Sequence, residues 1–588
     1  MPSASTWRLR PVEDDAAVDA LARSLNDLPH ALARALVLRD IRSFDAAQRF
    51  FRPALAHLHA PDGLRDMDAA AERIARAVRS GERVLVFGDY DVDGTTATAL
   101  TVGMLRRLGV ETGYFIPNRF LDGYGIGEKG LDAAKAMGAT VVVALDCGIT
   151  AHEPARYAKT LGLDLVVCDH HKPEATLPDA YAVVDPKRAD CLYPFKELSG
   201  CALGFKLAQA VLERLGHDPA EAYDDLDLVA ISTAADLVSP SDENRVLMAK
   251  GLERLRTSPR PGFAALAKVV GLDLGALSTE GIVFALGPRI NAAGRLGDAG
   301  KAVELMLAET DAEAMERALA LEACNQQRRA LDQEIQGEAL ALAEAQMARG
   351  GADGGERQAL ALYGRDWHLG VIGIVASRMV ERFHRPTVMM CGTGDGFVKG
   401  SARSCRGVSI HDALGRCHDL LEDFGGHDFA AGLTLREENV AAFQDCFDAA
   451  VGEAARKAET TWAAPLDFDA QIALDDLASG RFWAVLRQFA PHGPDNLAPV
   501  FATMGVDVVG NPRVVGRESQ HLKLHVRAAG GPGRVFEAIG YRMGDRLAEV
   551  QALVRLGHRL DLAFQVEENV YRGERSLQLK LKDLRAAA

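Results

Sequence analysis

The stretch VVCDHHKPE, residues 166–174, decides the fold of this chain. An apolar run ends there abruptly in an aspartate and two histidines. These three side chains fit a turn, a structural metal site or part of a catalytic centre, because aspartate and histidine are common metal ligands. The rest of the sequence has to decide between these alternatives.

Residues 81–190 alternate between two patterns. Apolar β-type runs occur at Arg83–Phe87, Thr112–Ile116, Thr140–Leu145, Leu163–Cys168 and Ala182–Val184. Helix-like stretches lie between them, at Thr95–Leu108, Leu131–Met137 and Glu153–Leu161. Repeated strand-helix-strand order predicts a parallel sheet with helices on both faces, and the unbroken apolar runs are typical of strands that are covered on both sides.

The remaining sequence predicts further units. Residues 203–270 have a helical pattern, 311–348 predict one long helix or two, and a second α/β pattern occupies 358–450. After residue 460, five or six short candidate strands predict a small antiparallel barrel. The expected units are an N-terminal helical segment (1–70), two α/β domains (71–305 and 351–455) joined by a connecting helix (306–350), and the barrel (460–588).

Composition fits a multidomain globular protein. The chain has 588 residues, 48% of them hydrophobic, and a net charge of −15, which argues against nonspecific binding of polyanions. No apolar stretch is long enough to span a bilayer, and the N-terminus lacks the apolar core of a secretory signal, so we expect a cytoplasmic protein without membrane contact. The nine cysteines form no C-x-x-C pair, so each is expected to be reduced and buried.

Acidic residues follow three of the apolar runs. GDYDVDGTT (88–96) carries Asp89, Asp91 and Asp93, ALDCGIT (144–150) carries Asp146, and the third run ends in Asp-His-His. Ligands of open parallel sheets bind outside the carboxyl ends of the strands. Carboxylate oxygens with a histidine nitrogen suit Mn²⁺ or Mg²⁺ better than zinc, and two ions about 3.5–4 Å apart need a bridging carboxylate, for which Asp146 is the natural candidate.

Other interpretations of these motifs are weaker. The D-x-D-x-D-G pattern resembles a calcium loop, but Leu100 stands where the twelfth-position glutamate belongs. No Walker A motif is present, although Gly94-Thr95-Thr96 at a helix start suits a phosphate. Asp236, in STAADLVSP (232–240), is by itself more typical of a helix end than of a ligand.

Taken together, these motifs resemble those of the DHH phosphoesterase superfamily. VKGSARSCRGVSIHDAL (398–414) and FGGHDFAAGLTL (424–435) resemble its DHH-associated domain, and GPRINAAGRLGDAGKAVELM (287–306) resembles a segment of its single-stranded-DNA-specific exonucleases. The resemblance covers nearly the whole chain. It implies a DHH domain, a DHH-associated domain and a C-terminal OB-like nucleic-acid-binding barrel.

The resemblance also implies roles for individual residues. The metal ligands and catalytic residues would be Asp91, Asp93, Asp146, His170 and Asp236, with Asp89 as a further ligand of the first of two Mn²⁺ or Mg²⁺ ions. His171 would face the scissile phosphate, and Asp169 would orient a neighbouring histidine. Other branches of the family carry a histidine a few residues before the paired aspartates, whereas Phe87 stands four residues before Asp91 in this chain.

Phosphate-binding candidates lie outside the first motif group. The resemblance implies a clamp of Ser401, Arg403 and Ser404 and a backbone-approach loop of Gly425, Gly426 and His427. A solvated turn and a satisfied buried histidine are the alternatives. Further candidates are Arg119, Arg289 and Arg295.

The barrel would bind DNA through basic and aromatic side chains. Its candidates are Trp462, Phe468, Trp483, Phe501, Arg513, Arg517, Lys523 and Tyr541. Most aromatic residues on strands belong to a core, so we expect only one or two of them to contact DNA.

The expected activity is metal-dependent 5′→3′ hydrolysis of single-stranded DNA in repair and recombination, by a monomer. The family further implies a single-stranded-DNA-binding protein and a helicase as partners. Two alternatives remain open: a DHH phosphodiesterase acting on short oligonucleotides or small phosphoesters, and an inactive DNA-binding scaffold. Hydrolysis assays on end-labelled single-stranded DNA, duplex DNA and a dinucleotide would separate the three.

Overall fold

The computed structural model describes residues 6–351, 354–405, 407–458, 462, 465–516, 520–531, 533–571 and 574–587. No helix within these ranges combines the length and apolarity that a membrane crossing requires.

The N-terminal segment is mostly helical. It contains β1 (Trp7–Leu9), α1 (Asp15–Ser24), α2 (His30–Val37) and α3 (Phe44–Phe51). Asp14 and Ser43 cap α1 and α3 by accepting hydrogen bonds from the backbone amides of the first helical turn. Almost all of α2 is buried, so this segment needs a partner surface elsewhere in the chain.

The first α/β domain contains the predicted parallel sheet. Its elements are α4 (Met67–Ser80), β2 (Arg83–Phe87), α5 (Val92–Arg107), β3 (Thr112–Phe115), α6 (Glu128–Ala136), β4 (Ala139–Leu145), α7 (His152–Thr160), β5 (Asp164–Cys168) and β6 (Ala182–Val184). The strand order is β3-β2-β4-β5-β6, with every pair parallel. Alternate residues of β2 enter two separate cores: Val84 and Val86 pack on one face, Leu85 and Phe87 on the other.

A group of helices completes this domain and leads out of it. They are α8 (Gly200–Arg214), α9 (Leu226–Ala235), α10 (Asp242–Thr257), α11 (Pro261–Val270), α12 (Thr279–Gly281), α13 (Gly287–Arg295), α14 (Gly300–Met306) and α15 (Asp311–Arg349). Helix α15 has 39 residues and is therefore about 58 Å long. Ala318 packs in the core of the first domain and Ala343 in that of the next, so the single long connecting helix belongs to both.

The second α/β domain has a mixed sheet. Its elements are β7 (Leu360–Tyr363), α16 (Leu369–Phe383), β8 (Thr387–Gly392), β9 (Phe397–Arg403), α17 (Ile410–Gly415), β10 (Asp423–Gly426), β11 (Ala430–Arg436) and α18 (Val440–Lys457). The strand order is β10-β11-β9-β8-β7. Cys417 and Cys446 form a disulfide, and Cys324 and Cys405 are only partly buried, so the expectation that every cysteine is reduced and buried is wrong for these four.

The C-terminal region forms a barrel. Its elements are β12 (Leu466–Phe468), β13 (Ala470–Gln471), α19 (Gly480–Leu486), β14 (Phe501–Val508), β15 (Arg513–Val515), β16 (His521–Arg527), β17 (Phe536–Gly540), α20 (Leu547–Arg555), β18 (Leu560–Tyr571) and β19 (Glu574–Ala586). Pairing in the order β14-β18-β19-β17-β16 and back to β14 closes five strands. The β17–β19 pair is parallel, so the prediction of a wholly antiparallel barrel is wrong there.

The N-terminal segment packs on the barrel. Leu32, Leu36 and Ala47 share one buried core with barrel residues such as Phe501 and Phe564. Strand β1 pairs in parallel with β12, at the opposite end of the sequence. We refer to residues 6–51 together with 466–587 as the barrel module.

Candidate metal centre and phosphate site

The carboxyl ends of three neighbouring strands deliver the predicted side chains to one place. Asp89 follows β2, Asp146 follows β4 and His170 follows β5. Asp146 has a left-handed backbone (φ 61°), a costly conformation that is concentrated at functional sites. Helix α8 approaches it closely, because a β-carbon built on Gly200 would lie 2.6 Å from Cβ of Asp146.

The side chains form overlapping groups of possible metal ligands. Ligand atoms lie within 4.8 Å of one another in three sets: Asp89, Asp91 and Asp146; Asp93, His170 and Asp236; Asp146, His170 and His171. The ring atom Nε2 of His170 lies 3.0 Å from Oδ1 of Asp146, 3.6 Å from Oδ2 of Asp93 and 3.7 Å from Oδ2 of Asp236. All six residues proposed as metal ligands therefore lie in one cluster.

Asp236 reaches this cluster from a helix rather than from a strand. It is the C-cap of α9, whose other residues are almost all buried, and Leu237 after it turns the chain with φ 58°. The sequence motif located Asp236, but only the packing of α9 against α5 brings it to the sheet edge.

Asp93 has structural partners in addition to its place in the cluster. Its carboxylate accepts hydrogen bonds from the amides of Gly200 at 2.6 Å and Cys201 at 2.7 Å, and from the hydroxyl of Ser232 at 2.7 Å. These donors lie at the N-terminus of α8 and in α9. Cys201 and Ser232 both donate to Oδ1 and Gly200 donates to Oδ2, so the bonds fix the orientation of Asp93 and leave one lone pair of Oδ2 for an ion.

The electrostatics of the cluster favour a bound cation. Burial and then the charge of neighbouring carboxylates raise the pKa of Asp89, Asp91 and Asp146, and raise that of Asp236 to about 8. Burial lowers the pKa of His170, which favours the neutral, ligating imidazole. Oδ1 of Asp89 is buried without a hydrogen-bond donor among the described residues. Divalent cations would satisfy these oxygens and offset the repulsion, so the residues fit Mn²⁺ or Mg²⁺.

His171 is held by Asp169. Its Nδ1 lies 2.7 Å from Oδ1 of Asp169, and the other carboxylate oxygen of Asp169 accepts a hydrogen bond from the Ile149 amide. Burial opposes protonation of His171, but the bond to Asp169 outweighs burial and raises the pKa of the imidazole to about 9. The same bond, working against burial, lowers the pKa of Asp169. Asp169 therefore contacts the neighbouring histidine His171 that it was expected to orient.

Two features of the site were missed at the sequence level. Tyr124 is 57% exposed, and its ring lies against His171 with the ring centroids 6.1 Å apart. Asp185 follows β6 directly and is fully buried, and burial raises its pKa to about 7. The pattern of an aspartate after each strand could have identified Asp185, whereas Tyr124 lies in a loop with no distinctive spacing.

Arginines from three segments converge beside the metal cluster. The guanidinium of Arg119 lies 4.1 Å from the ring centre of Tyr90, and its Nε has no hydrogen-bond acceptor among the described residues. Arg295 ends α13 and donates to the Gly370 carbonyl at 3.1 Å. Burial, then repulsion from Arg119, Arg328 and Arg403, lowers the pKa of Arg295 to about 10. Crowding of like charges indicates an anion site.

The second α/β domain contributes unevenly to this site. Nη1 of Arg403 donates to Oγ of Ser401 at 3.0 Å, beside the glycine-containing first turns of α16. Ser404 instead donates its hydroxyl to the Val408 carbonyl, within its own loop. Gly425 pairs with Gly432, which pairs with Ser401, so Gly425 is about 10 Å from Ser401 across two strand spacings.

Gly426 and His427 lie at the end of the same edge strand, and both are exposed. The backbone of Gly426 has φ 136°, and a β-carbon there would lie 2.5 Å from the Ala430 carbonyl oxygen. Exposure of His427 contradicts the alternative of a buried, satisfied histidine. The open edge leaves room for a ligand to approach the backbone.

Arg289 lies elsewhere, in a basic cleft of about 820 Å³. Its Nε donates to Glu322 at 2.6 Å. The cleft is lined by residues of α13 and the turn before it, of α15 and α16, and of the barrel: Phe284, Pro288, Arg289, Asn325, Arg328, Arg329, Asp332, Gln333, Gln336, Leu340, Arg378, Met379, Glu381, Arg382 and Arg542. None of the metal-centre side chains lines it. The structure therefore separates Arg289 from Arg295, although both belong to one helix.

The barrel candidates divide between core and surface. Phe468 and Phe501 are buried, Trp483 packs against the same core, and Trp462 lies under Arg385 of the second α/β domain. Lys523 pairs with Glu537, Arg513 is exposed, and Arg517 falls outside the described residues. Tyr541 is 46% exposed and has Lys580 over its ring. Of the four aromatic candidates with described surroundings in the barrel region, Phe468 and Phe501 are buried, Trp483 is half-buried and Tyr541 is exposed.

Comparison with known families agrees with this domain order. Residues 83–233 match the N-terminal domain of the DHH family, 356–453 match the DHHA1 domain, and 468–583 match the RecJ OB domain. The first range contains five of the six proposed metal ligands, with Asp236 three residues beyond its end, and the second contains Arg403. The third contains the closed barrel, which confirms the predicted fold class.

Individual relatives match over nearly the full length. The single-stranded-DNA-specific exonuclease RecJ of Salmonella typhimurium is 38% identical, with 96% of this chain and 97% of the relative covered, and that of Escherichia coli is 36% identical, with 96% and 98% covered. The crystal structure of RecJ from Thermus thermophilus with Mn²⁺ superposes with a TM-score of 0.82 at 29% identity, covering 100% of this chain and 80% of that one. Its complex with Mg²⁺ gives a TM-score of 0.75 at 27% identity, with 100% and 79% covered. On its domains, its fold and its relatives, the chain belongs to the RecJ family of DHH phosphoesterases.

Proposed function

We propose that this chain is a metal-dependent exonuclease that hydrolyses the phosphodiester bonds of single-stranded DNA. One observation carries the proposal: a cluster of carboxylates and histidines lies beside crowded arginines, where two α/β domains meet. Relatives of nearly the same length are named single-stranded-DNA-specific exonucleases, and solved RecJ structures contain Mn²⁺ or Mg²⁺.

The residues that would hold two divalent ions are Asp89, Asp91, Asp93, Asp146, His170 and Asp236. Bound ions would lower the pKa of a water molecule and stabilise negative charge on the phosphate. The site is preorganised. Hydrogen bonds from Gly200, Cys201 and Ser232 fix the orientation of Asp93. The left-handed backbone of Asp146 directs its carboxylate toward His170.

Several side chains would hold the substrate. His171, with its pKa raised to about 9, carries a proton at neutral pH and presents Nε2 to a phosphate oxygen, while Asp169 fixes Nδ1. Arg119, Arg295 and Arg403 would bind a neighbouring phosphate, and the hydroxyl of Ser401 would add a donor. These groups orient the phosphodiester for attack and offset its charge.

The basic cleft offers a path for the remainder of the strand. Arg329, Arg382 and Arg542 have no carboxylate partner among the described residues, and they come from α15, α16 and the barrel. Phe284, 75% exposed at the same cleft, can stack on a base. Tyr541 and Lys580 continue the path on the barrel. A local basic route of this kind explains how a chain with net charge −15 can bind a polyanion.

Finer assignments follow from the family. We propose 5′→3′ polarity, a role in DNA repair and recombination in the cytoplasm, a monomer, and cooperation with a single-stranded-DNA-binding protein and a helicase. We also retain the domain ranges 1–70, 71–305, 306–350, 351–455 and 460–588 as proposals.

The test is a hydrolysis assay with Mn²⁺ or Mg²⁺ on strands labelled at either end, on duplex DNA and on a dinucleotide. We expect single-stranded DNA to be shortened from its 5′ end, duplex DNA to resist, and a chelator to stop the reaction. Preference for the dinucleotide would instead support a small-substrate phosphodiesterase. Binding without hydrolysis under all metal conditions would support an inactive scaffold.

A further inference from the structure

Arg245 joins parts of the chain that are far apart in sequence. It lies in the first turn of α10 and is 4% exposed. Its guanidinium donates to the carbonyl oxygens of Phe50 at 2.6 Å, Gln488 at 2.9 Å, Phe489 at 3.1 Å and Ala490 at 2.9 Å. It also stacks over the ring of Phe50, 3.6 Å from the centroid. One side chain of the first α/β domain thus binds both segments of the barrel module, 6–51 and 466–587.

This arginine has no carboxylate partner among the described residues. Its acceptors are carbonyls, two of them in the 3₁₀ turn Arg487–Phe489 that follows α19. Burial, with a smaller contribution from Arg39, lowers the pKa of Arg245 to about 9. If these carbonyls moved away, the buried guanidinium of Arg245 would lose its hydrogen-bond acceptors, which would cost free energy. The carbonyls are therefore held in place around it.

Other polar contacts across this interface are few. Among the described residues, the only further hydrogen bond or ion pair between the first α/β domain and the barrel module is Lys580–Glu280, at 3.8 Å. The Glu280 side chain is 69% exposed, and exposed ion pairs contribute little. The polar part of the interface therefore depends mainly on Arg245.

The interface lies on the segment that carries a proposed metal ligand. Asp236 precedes Arg245 by nine residues, and the amide side chain of Asn244 donates to the Ser239 carbonyl at 3.0 Å. On the barrel side, a β-carbon built on Gly493 would lie 3.0 Å from Pro240. The barrel module consequently rests against residues 239–245, directly behind Asp236.

We propose that Arg245 is a positioning residue that fixes the barrel module relative to the metal centre, so that a strand bound on the barrel is presented to that centre. The inference rests on the proposed exonuclease function. When the barrel module is fixed, a strand bound to it has a high effective concentration at the metal centre. When the module is free to move, that effective concentration falls. Substrates too short to reach the barrel gain nothing from Arg245.

The test compares Arg245→Met with Arg34→Met in the full-length protein with Mn²⁺. Arg34 is a matched control, because it is 8% exposed and donates to the carbonyls of Asp469 at 2.9 Å and Arg10, all within the barrel module. We expect Arg245→Met to raise KM for a long strand about tenfold, with kcat little changed and with both constants for a dinucleotide unchanged. Arg34→Met should lower the melting temperature without raising KM for the long strand relative to that for the dinucleotide.

Two further measurements keep the test decisive. Gly493→Ala perturbs the same interface from the barrel side, so it should also raise KM for the long strand and leave dinucleotide hydrolysis unchanged. Arg245→Lys keeps the charge but loses the planar guanidinium, so its KM for the long strand should lie between those of the wild type and Arg245→Met. Unchanged KM for the long strand in Arg245→Met, or equal losses on both substrates, would overturn the inference. Absence of metal-dependent hydrolysis by the wild type on either substrate would instead overturn the proposed function.

Discussion

His171 and Asp169 form a short contact at the end of β5, with Nδ1 of the imidazole 2.7 Å from Oδ1 of the carboxylate. The second oxygen of Asp169 accepts from the Ile149 backbone, so the carboxylate cannot rotate away. The first and third residues of the Asp-His-His motif therefore act as a pair. The middle histidine belongs to the metal cluster.

Replacing Asp169 with Asn should change the pH profile of hydrolysis. The pKa of His171 is about 9 in the folded protein, against about 6.5 in an unfolded chain. The stability that protonated His171 gains from Asp169 is therefore fully present below about pH 6.5 and is lost as the pH rises through 9. In Asp169→Asn the loss should begin near pH 6.5, and kcat/KM at neutral pH should fall about 10–100-fold. Asp164→Asn, at the opposite end of β5, should keep the wild-type profile; an unaltered profile in Asp169→Asn would contradict the pairing.

Asp146→Ala should abolish hydrolysis and leave the fold intact. Asp146 belongs to two of the three ligand groups, so its loss removes the shared carboxylate. Without metal, the variant should melt at a higher temperature than the wild type at pH 8, because it lacks one of the buried carboxyl groups whose ionisation the fold disfavours. Calorimetry with and without Mn²⁺ measures this. An active variant that binds the metal normally would contradict the proposed bridging role of Asp146.

The metal-free protein should lose stability as the pH rises. Asp236 has a folded pKa of about 8 against about 3.9 in an unfolded chain, and Asp89, Asp91 and Asp146 shift in the same direction. Between these values the folded state binds protons that the unfolded state has released, so stability falls from pH 4 to pH 8. Mn²⁺ at 100 times its Kd should add about 2.7 kcal/mol. Melting curves at pH 6 and 8 that coincide without metal would contradict the expectation.

Arg382→Ala should weaken binding to long strands. The side chain lines the basic cleft without a carboxylate partner among the described residues, so we expect the salt dependence of strand binding to lose a slope of roughly 0.7. Fluorescence anisotropy at several salt concentrations, with metal omitted, measures the slope. Arg416→Ala is the control, because Arg416 pairs with Glu453 away from the cleft. Equal slopes in both variants would exclude the cleft from the strand path.

Tyr541→Ala should weaken binding of long strands by about 1–3 kcal/mol, the contribution of one stacked base. Dinucleotide hydrolysis should be unaffected, because the ring lies on the barrel. The control is Tyr181→Ala, which removes a ring of similar exposure (44%) from the first α/β domain. Identical affinities in the two variants would remove Tyr541 from the binding surface.

Much of the fold and of the site could be predicted from sequence because the signals are local. An apolar run predicts a buried strand, and an aspartate or histidine within two residues of its end, as at Asp146 and His170, predicts a position at the sheet edge. The composition of residues 311–348 predicted the connecting helix. Each of these features depends on residues that are adjacent in the chain.

What could not be predicted depends on packing between distant segments. Ser404 carries the same hydroxyl as Ser401, but the direction of its loop takes it to the Val408 carbonyl. Arg289 and Arg295 stand six residues apart on α13 and so point about 120° away from each other, but which neighbours each one meets depends on the placement of α15 and α16. The parallel pairing of β17 with β19 likewise follows from barrel closure, which has no signature in either strand.

The sharing of one core by both chain ends has a consequence for synthesis. Helices α1–α3 leave the ribosome long before the barrel strands, yet Leu32 and Leu36 share their core with Phe501 and Phe564 only when those strands have emerged. At typical elongation rates this takes on the order of tens of seconds. During that time the two α/β domains can fold while the first helices expose their apolar faces. The nascent chain should therefore depend on chaperone binding at its N-terminus, and its release should coincide with completion of the barrel.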